Sequence, residues 1–291
     1  MNVSMELLAL PLAETVLMGV LSGLVGALAV ISRRVFFAES ITHATFPGAV
    51  TGVVAATAVG TALTGARVGY EMLSIAVLLG ALLMCAPMTW LMRRLSDLPG
   101  ISSQAAAGIV LAVGFALGYL LSTWFAPLPL KVDGFLTGSV LNVNRADVAL
   151  TVAVLTVTVI IVVVAGRHLE LYCFDSVAYR AAGLNPRLPE WTVLVLICLN
   201  ICVLIPAVGT ILPIALIAAP AATVRSRARS TSGLLIGSAA LGAICCLAGL
   251  WLAVGFEWSV GGTIAVACGL VYAASELGSY VRSPGRRVGP S

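Results

Sequence analysis

The chain has 291 residues, of which 60% are hydrophobic and only 10% are charged, and its formal net charge is +4. Soluble domains carry about 25% charged residues, so the composition excludes an ordinary soluble protein. The apolar residues come in runs long enough to cross a bilayer, about 20 residues each. These runs lack the alternating polarity, over segments of about 10 residues, that β-barrel strands have. The sequence therefore predicts an all-α polytopic membrane protein, with residues 1–291 forming a single transmembrane domain.

The basic residues exclude two further classes of function. Lysine occurs once, at Lys131 in PLPLKVDG, and the other basic residues are arginines. A Walker loop needs a glycine-rich turn that ends in lysine, so this chain is not expected to be an ATPase. No basic patch with interleaved aromatic residues indicates nucleic-acid binding. The spans contain no Ser-His pair, no HExxH motif and no paired aspartates, so we do not expect an enzyme, nor a permanently bound cofactor.

Apolar spans follow one another along the whole chain. They lie near 13–31, 35–63, 72–91, 105–125, 148–166, 191–206, 208–224, 233–255 and 258–277. Arginine clusters follow alternate spans, at 33–34, 93–94, 167–187, 225–229 and 282–287. By the positive-inside rule these loops face the cytoplasm, which leaves the N-terminus outside.

The pair of spans over 191–224 is short in both halves, and Pro206, Pro213 and Pro220 interrupt it. Broken helices are tolerated in membranes where neighbouring groups satisfy the freed backbone. The chain is therefore predicted to have eight or nine transmembrane helices, one of them broken near 205–213.

The stretch FFAESITHATFPGAV, residues 36–50, places Glu39 and His43 four residues apart in a strongly apolar span. Residues at this spacing share one helix face. His43 lies nine residues beyond Arg34, or about 13 Å along a helix, which is close to the middle of a bilayer core of about 30 Å. Ionisable residues at that depth mark functional sites.

Pro47 lacks an N–H, so it cannot donate to the carbonyl of His43, and we expect the helix to kink at Pro47 and Gly48. Carboxylate and imidazole ligands suit Mn²⁺, Zn²⁺ and Fe²⁺. Two copies about a twofold axis would offer two Glu and two His ligands. A proton relay, or an ion pair of Glu39 with His43 or Arg34, is the alternative.

Three further features carry weaker signals. Cys198 and Cys202 share the same spacing and either bind a soft metal or pack in the core. His168 lies at a cytoplasmic boundary and is read as an interfacial residue. The cytoplasmic loop 167–190 contains a short helical pattern in which Asp175 can be the N-cap and Gly183 the stop.

Four stretches occur in the order found in one family of membrane proteins. They are ISRRVFFAESITHATFPGAV, AAAGIVLAVGFALG, CFDSVAYRAAGL and AVGTILPIALIAAPAATVR, and they cover nearly the whole chain. The sequence resembles the permease subunit of the manganese, zinc and iron ABC transporters. That resemblance implies a multi-pass protein of the prokaryotic plasma membrane with eight spans.

The resemblance also implies partners and site residues. It implies a homodimeric permease, a separate cytoplasmic ATPase subunit and an extracytoplasmic metal-binding protein. The family's acid and histidine map onto Glu39 and His43, and its coupling helix, which contacts the ATPase, maps onto Asp175, Ala178 and Gly183. One departure is that Gln104 stands where the family usually has an acid.

We therefore interpret the chain as the permease of an importer that carries a divalent metal ion, Mn²⁺, Zn²⁺ or Fe²⁺, by alternating access. A proton-coupled secondary carrier would use Glu39 and His43 as a proton relay and would need no ATPase. An ABC permease for a metal chelate would need no direct ligands, so replacing either residue would matter little.

Overall fold

The computed structural model describes residues 5–64, 69–126, 143–210 and 212–282, and over these residues the regular structure is entirely helical. This confirms the predicted all-α class. The helices are α1 (Met5–Ile31), α2 (Val35–Ala44), α3 (Phe46–Thr64), α4 (Tyr70–Ser96), α5 (Ser103–Trp124), α6 (Arg145–Phe174), α7 (Ser176–Ala181), α8 (Arg187–Val208), α9 (Leu212–Arg225), α10 (Thr231–Phe256) and α11 (Val260–Arg282). Lys131 lies outside the described residues.

Eight spans in the described part of the chain are long and apolar enough to cross a membrane, counting α2 and α3 together as one. Helix α9 is apolar but has only 14 residues. The count of eight long spans agrees with the number implied by family resemblance. The literal count of nine included the segment that forms α9.

The break predicted near 205–213 is present, and the chain reverses there. Helix α8 ends at Val208, Gly209 adopts φ 75°, and α9 starts at Leu212. The first turn of α8 and the last turn of α9 both lie at the junction of α1 and α2. Glu190 binds Arg34 at 2.8 Å, while Arg225 donates to the carbonyl of Val30 at 3.5 Å.

Among the described residues, the arginines of the first four clusters gather at one end of the bundle, as the positive-inside rule predicts. Arg34 and Arg93 share Glu190, and Arg227 hydrogen-bonds to Ser275 near the end of α11. We call this the cytoplasmic end.

Burial divides the helices into an inner and an outer group. In the most apolar stretch of α1, 83% of the residues are buried, and in α8 72%, whereas in α6 only 17% are. Helix α1 packs against α6, α8, α9 and α10. The inner helices therefore form the protein core, and α6 presents most of its surface to the membrane.

Small residues bring pairs of helices into close contact. A Cβ atom at Gly23 would lie 2.2 Å from the carbonyl oxygen of Ser238 on α10. A Cβ atom at Gly114 on α5 would lie 2.5 Å from the Cα atom of Ala44, at the end of α2. The second contact joins α5 to the helix that carries Glu39 and His43.

Candidate functional site

Helix α2 is short because its sequence interrupts it at both ends. Arg33 adopts φ 57°, which turns the chain out of α1, and α2 ends at Ala44 with Thr45 between it and α3. Thr45 lies between His43 and Pro47, the two residues that the missing N–H of Pro47 leaves without a hydrogen bond to each other. Pro47 sits in the first turn of α3, where a missing N–H is tolerated.

Gly48 follows Pro47 and makes a close helix contact. Its backbone is helical within α3, and a Cβ atom there would lie 2.3 Å from the carbonyl oxygen of Gly80. Gly48 therefore permits close packing of α3 on α4, and the break next to His43 falls at Thr45.

Helix α2 has one open face in an otherwise buried element. Its buried residues are Phe37, Ala38, Ser40, Ile41, Thr42 and Ala44. Phe36 is 62% exposed, and the side chains of Glu39 and His43 are 29% and 20% exposed. Positions 36, 39 and 43 follow the helical repeat, so these three side chains lie on the same face.

The Glu39 and His43 side chains meet on this face. Glu39 Oε1 lies 3.4 Å from His43 Nε2. The other polar atoms of the pair, Glu39 Oε2 and His43 Nδ1, are buried without a hydrogen-bond partner among the described residues. The imidazole makes an edge contact with the ring of Phe115 on α5, with centroids 5.9 Å apart. The common face predicted for these two residues is confirmed, and Phe115 is a neighbour that helical spacing could not identify.

The hydroxyl groups near the pair donate hydrogen bonds to backbone carbonyls rather than to Glu39 or His43. Thr42 donates to the carbonyl of Ala38, and Thr45 donates to the carbonyl of Thr42. Ser40 lies within 2.8 Å of the carbonyl oxygens of Phe36 and of Ala107 on α5. Ser40 therefore ties α2 to α5 one residue away from Glu39.

One copy of the chain brings two side chains, Glu39 and His43, together at this site. Within the described ranges, no group of three or more His, Cys, Asp or Glu side chains is arranged to hold a metal ion. Cys198 and Cys202 are buried in the main apolar core, where Cys202 Sγ lies 3.7 Å from Cys85 Sγ. This favours the core-packing interpretation of the cysteine pair.

The cytoplasmic loop predicted over 167–190 is shorter, because α6 continues to Phe174 and α8 begins at Arg187. The charged residues near 167–170 mark the membrane boundary but do not end the helix. The short helix predicted inside the loop is α7. Asp175 caps it by accepting from the backbone N–H groups of Val177 and Ala178, at 3.0 and 2.8 Å.

Helix α7 is held from one side and open on the other. Gly183 follows it with φ 75°. Tyr179 is buried, and its hydroxyl lies 3.4 Å from His168 Nδ1 on α6. Val177 is 75% exposed, and Ala178 is also exposed. His168, predicted to be merely interfacial, therefore helps to anchor α7.

An ion-pair cluster at the cytoplasmic end was not foreseen from the sequence. Glu190, in the first turn of α8, lies 2.8 Å from Arg34 and 3.4 Å from Arg93. The Arg93 guanidinium also stacks 4.9 Å from the ring centroid of Trp191. No local sequence pattern predicts these ion pairs, because Arg34, Arg93 and Glu190 lie far apart in sequence.

Gln104 lines a cavity of about 470 Å³ together with Arg34, Arg93 and Glu190. An acid at this position would add a second carboxylate to that cavity. The departure at Gln104 therefore concerns the cytoplasmic end and lies away from the Glu39–His43 pair.

A buried carboxylate was also missed. Glu14 on α1 is 1% exposed and accepts a hydrogen bond of 2.5 Å from Thr151 on α6. The sequence feature that could have identified it is an acidic residue inside the first apolar span.

Comparison with known proteins gives one consistent result. The profile of the ABC 3 transport family matches residues 4–278. The zinc transport system membrane protein TroC of Treponema pallidum is 31% identical over 239 residues, which cover 81% of this chain and 76% of that protein. The manganese transport system membrane protein MntC of Halalkalibacterium halodurans is 24% identical and covers 90% of this chain and 84% of its own.

Solved structures share the fold. PsaBC from Streptococcus pneumoniae, in complex with Fab, matches with a TM-score of 0.78 and 22% identity, over 92% of this chain and 90% of that chain. A metal-chelate type ABC transporter in an inward-facing conformation matches with a TM-score of 0.68 and 17% identity, over 92% and 85% of the two chains.

Proposed function

Because this chain belongs to the ABC 3 transport family, it is a membrane permease subunit and not an ATPase, and we propose that it carries a divalent transition metal ion, Mn²⁺, Zn²⁺ or Fe²⁺. The eight apolar spans and the bacterial relatives identify a multi-pass protein of the bacterial plasma membrane. The family favours an ATP-driven transporter over a proton-coupled carrier.

The observation that carries the metal proposal is the distance between Glu39 Oε1 and His43 Nε2. Two ligands that lie about 2.0–2.1 Å from a tetrahedral Zn²⁺ are about 3.4 Å from each other. The observed separation is 3.4 Å. An ion could therefore be bound by both atoms with little movement of α2, whose buried face is packed against its neighbours.

The open face of α2 supports a shared site. A carboxylate and an imidazole that faced lipid at this depth would be costly. A second copy placed against the same face would cover both side chains and would supply a second Glu39 and His43. We propose this homodimer, in which four ligands from two chains hold one transported ion.

Helix α7 is the proposed contact with the ATPase subunit. Asp175 sets its start, Gly183 its end, and Tyr179 holds it against α6, so that Val177 and Ala178 remain open to a partner. An exposed apolar side chain on a short anchored helix suits a protein contact better than it suits water.

The ion pairs of Glu190 offer a path from that contact to the metal site. Helix α8 follows α7 after a short connection. Its Glu190 forms an ion pair with Arg34, the residue just before α2. A movement of α7 would therefore reach α2 through one charged contact. In this scheme alternating access opens the site first to an extracytoplasmic metal-binding protein and then, after ATP hydrolysis by the separate subunit, to the cytoplasm.

The proposal is tested by the metal content of the purified permease. The protein is soaked in equal Mn²⁺, Zn²⁺ and Fe²⁺, washed, and analysed by mass spectrometry, beside Glu39→Ala and His43→Ala. We expect about one ion per two chains, and its loss in both variants. The matched controls are Glu14→Gln, another carboxylate in the membrane, and His168→Ala, the chain's other histidine.

Metal retained in both ligand variants would refute the pair as ligands. A different outcome would favour the metal-chelate alternative. If the wild-type protein bound no free ion but transported a chelated one, that alternative would replace this proposal. The stoichiometry tests the homodimer separately, because one ion per chain would contradict a shared site.

A further inference from the structure

A second cavity, of about 930 Å³, opens at the cytoplasmic end next to the Gln104 cavity, with which it shares Ser32, Arg33 and Arg34. We call it the arginine basin. Its wall includes Arg33 and Arg34 from the junction of α1 and α2, and Arg225 and Arg229 from the end of α9 and the loop that follows. Glu170, near the end of α6, is the acid in its wall.

The charges of the basin are only partly compensated. Arg34 is bound to Glu190, and Glu170 accepts a hydrogen bond from Thr231. Arg33 and Arg229 make no ion pair with any residue that the structure describes, and both are exposed. Two guanidinium groups therefore face the cavity without a carboxylate partner.

The start of α10 adds to the positive potential. Ser230 and Thr231 line the basin, and Ser230 caps α10 by accepting from the N–H of Gly233. The N-terminus of a helix carries a partial positive charge and exposed N–H donors, and both favour an anion. Arginine suits phosphate because its planar fork can donate two hydrogen bonds to it.

The two helices that contribute Glu170 and Thr231 to the basin wall, α6 and α10, also carry exposed apolar residues. Helices α6 and α10 both pack on α1, and each turns exposed aliphatic residues outward, such as Val164 on α6 and Ile236 on α10. At the rim of the basin, Phe174 is 65% exposed. A ligand that combines a phosphate with hydrocarbon chains would fill both regions.

We propose that the arginine basin binds the headgroup of an anionic phospholipid from the inner leaflet, with its acyl chains along α6 and α10. Basic pockets between helices at the cytoplasmic boundary suit such headgroups. The site lies at the level of the membrane surface, where α1 and α9 end. Ser176 at the start of α7 also lines the basin, so a bound lipid would touch the segment proposed to meet the ATPase. The lipid proposal does not depend on the transported metal.

The test measures lipid binding to the full-length purified chain by native mass spectrometry. Phosphatidylglycerol is compared with zwitterionic phosphatidylethanolamine, and inorganic phosphate and glycerol phosphate are added in separate arms. The variant is Arg33→Gln with Arg229→Gln. The control is Arg180→Gln with Arg187→Gln, which removes the same charge from exposed cytoplasmic residues outside the basin.

We expect the basin variant to bind phosphatidylglycerol roughly 30-fold more weakly, from the usual contribution of two basic residues at an anionic surface, and the control to bind normally. Thermal unfolding in neutral detergent checks that both variants are folded. Equal loss in both variants would mean general surface attraction and would overturn the site. Inorganic phosphate that competes as well as the lipid would overturn the lipid assignment.

Discussion

Replacing Gly114 by alanine should weaken metal binding although Gly114 is not a ligand. A Cβ atom at this position would lie 2.5 Å from the Cα atom of Ala44, the residue after His43. Carbon atoms in contact normally lie about 3.5–4.0 Å apart, so α2 and α5 must separate by about 1 Å. Metal ligands need to be placed within about 0.2 Å. The backbone next to His43 would therefore shift by several times the tolerance of the site.

The effect on folding is expected to leave the protein folded. Alanine favours a helix over glycine by about 0.5–1 kcal/mol, and overpacking costs about 1–3 kcal/mol, so the helix gain offsets part of the cost. We expect a loss of stability of at most about 2.5 kcal/mol. The expected loss of metal affinity is at least about tenfold, as for other changes in the support of a metal site.

The assay is competition for metal with a fluorescent chelator, together with thermal unfolding in detergent. The control is Gly269→Ala on α11, where an added Cβ atom meets nothing within 4 Å. It should bind metal normally and should be as stable as the wild type or more so. Unchanged affinity in Gly114→Ala would show that the contact between α2 and α5 does not set the geometry of the ligands.

Four further predictions follow from other parts of the structure. Glu190→Gln should lower stability by about 1 kcal/mol and reduce the metal transported per ATP hydrolysed, because Arg34 and Arg93 lose their shared carboxylate; unchanged coupling would remove Glu190 from the proposed path. Val177→Asp should weaken assembly with the ATPase subunit about tenfold or more, measured by co-purification, and full assembly would contradict α7 as the contact. Metal occupancy should fall as the medium is acidified, because metal binding to such ligands releases protons; a flat profile would argue against those ligands. Gly209→Ala should lower the free energy of unfolding by about 1–3 kcal/mol, because Gly209 has φ 75° and ψ −171°. The loss should appear as a lower unfolding temperature. The control Gly255→Ala, where an added Cβ meets nothing within 4 Å, should show no such loss.

Much of the site was accessible to local reasoning. The spacing of Glu39 and His43 predicts that they share a face, and the structure confirms it with a distance of 3.4 Å. The N-cap at Asp175 and the stop at Gly183 were also confirmed. These features depend on neighbours within one or two helical turns, so the sequence carries all the information that they need.

The junction of α2 and α3 shows where local reasoning stops. Pro47 cannot donate to the carbonyl of His43, and the interruption at Thr45 lies between these two residues. The close contact of Gly48 with Gly80 on α4 could not be inferred from the sequence, because it depends on which helix packs against α3.

The apolar runs, the arginine clusters and the spacing of Glu39 and His43 determined that this protein is an all-α membrane protein with a paired carboxylate and imidazole in the membrane. Those properties follow from hydrophobicity and helical periodicity, which act over short stretches. Only the tertiary structure decided that Glu190 binds two arginines and that Phe115 lies beside His43. It also decided that four arginines surround one basin and that the chain reverses direction between α8 and α9. Each of these depends on which distant helices pack together, and that is determined by the fit of whole surfaces rather than by any short pattern.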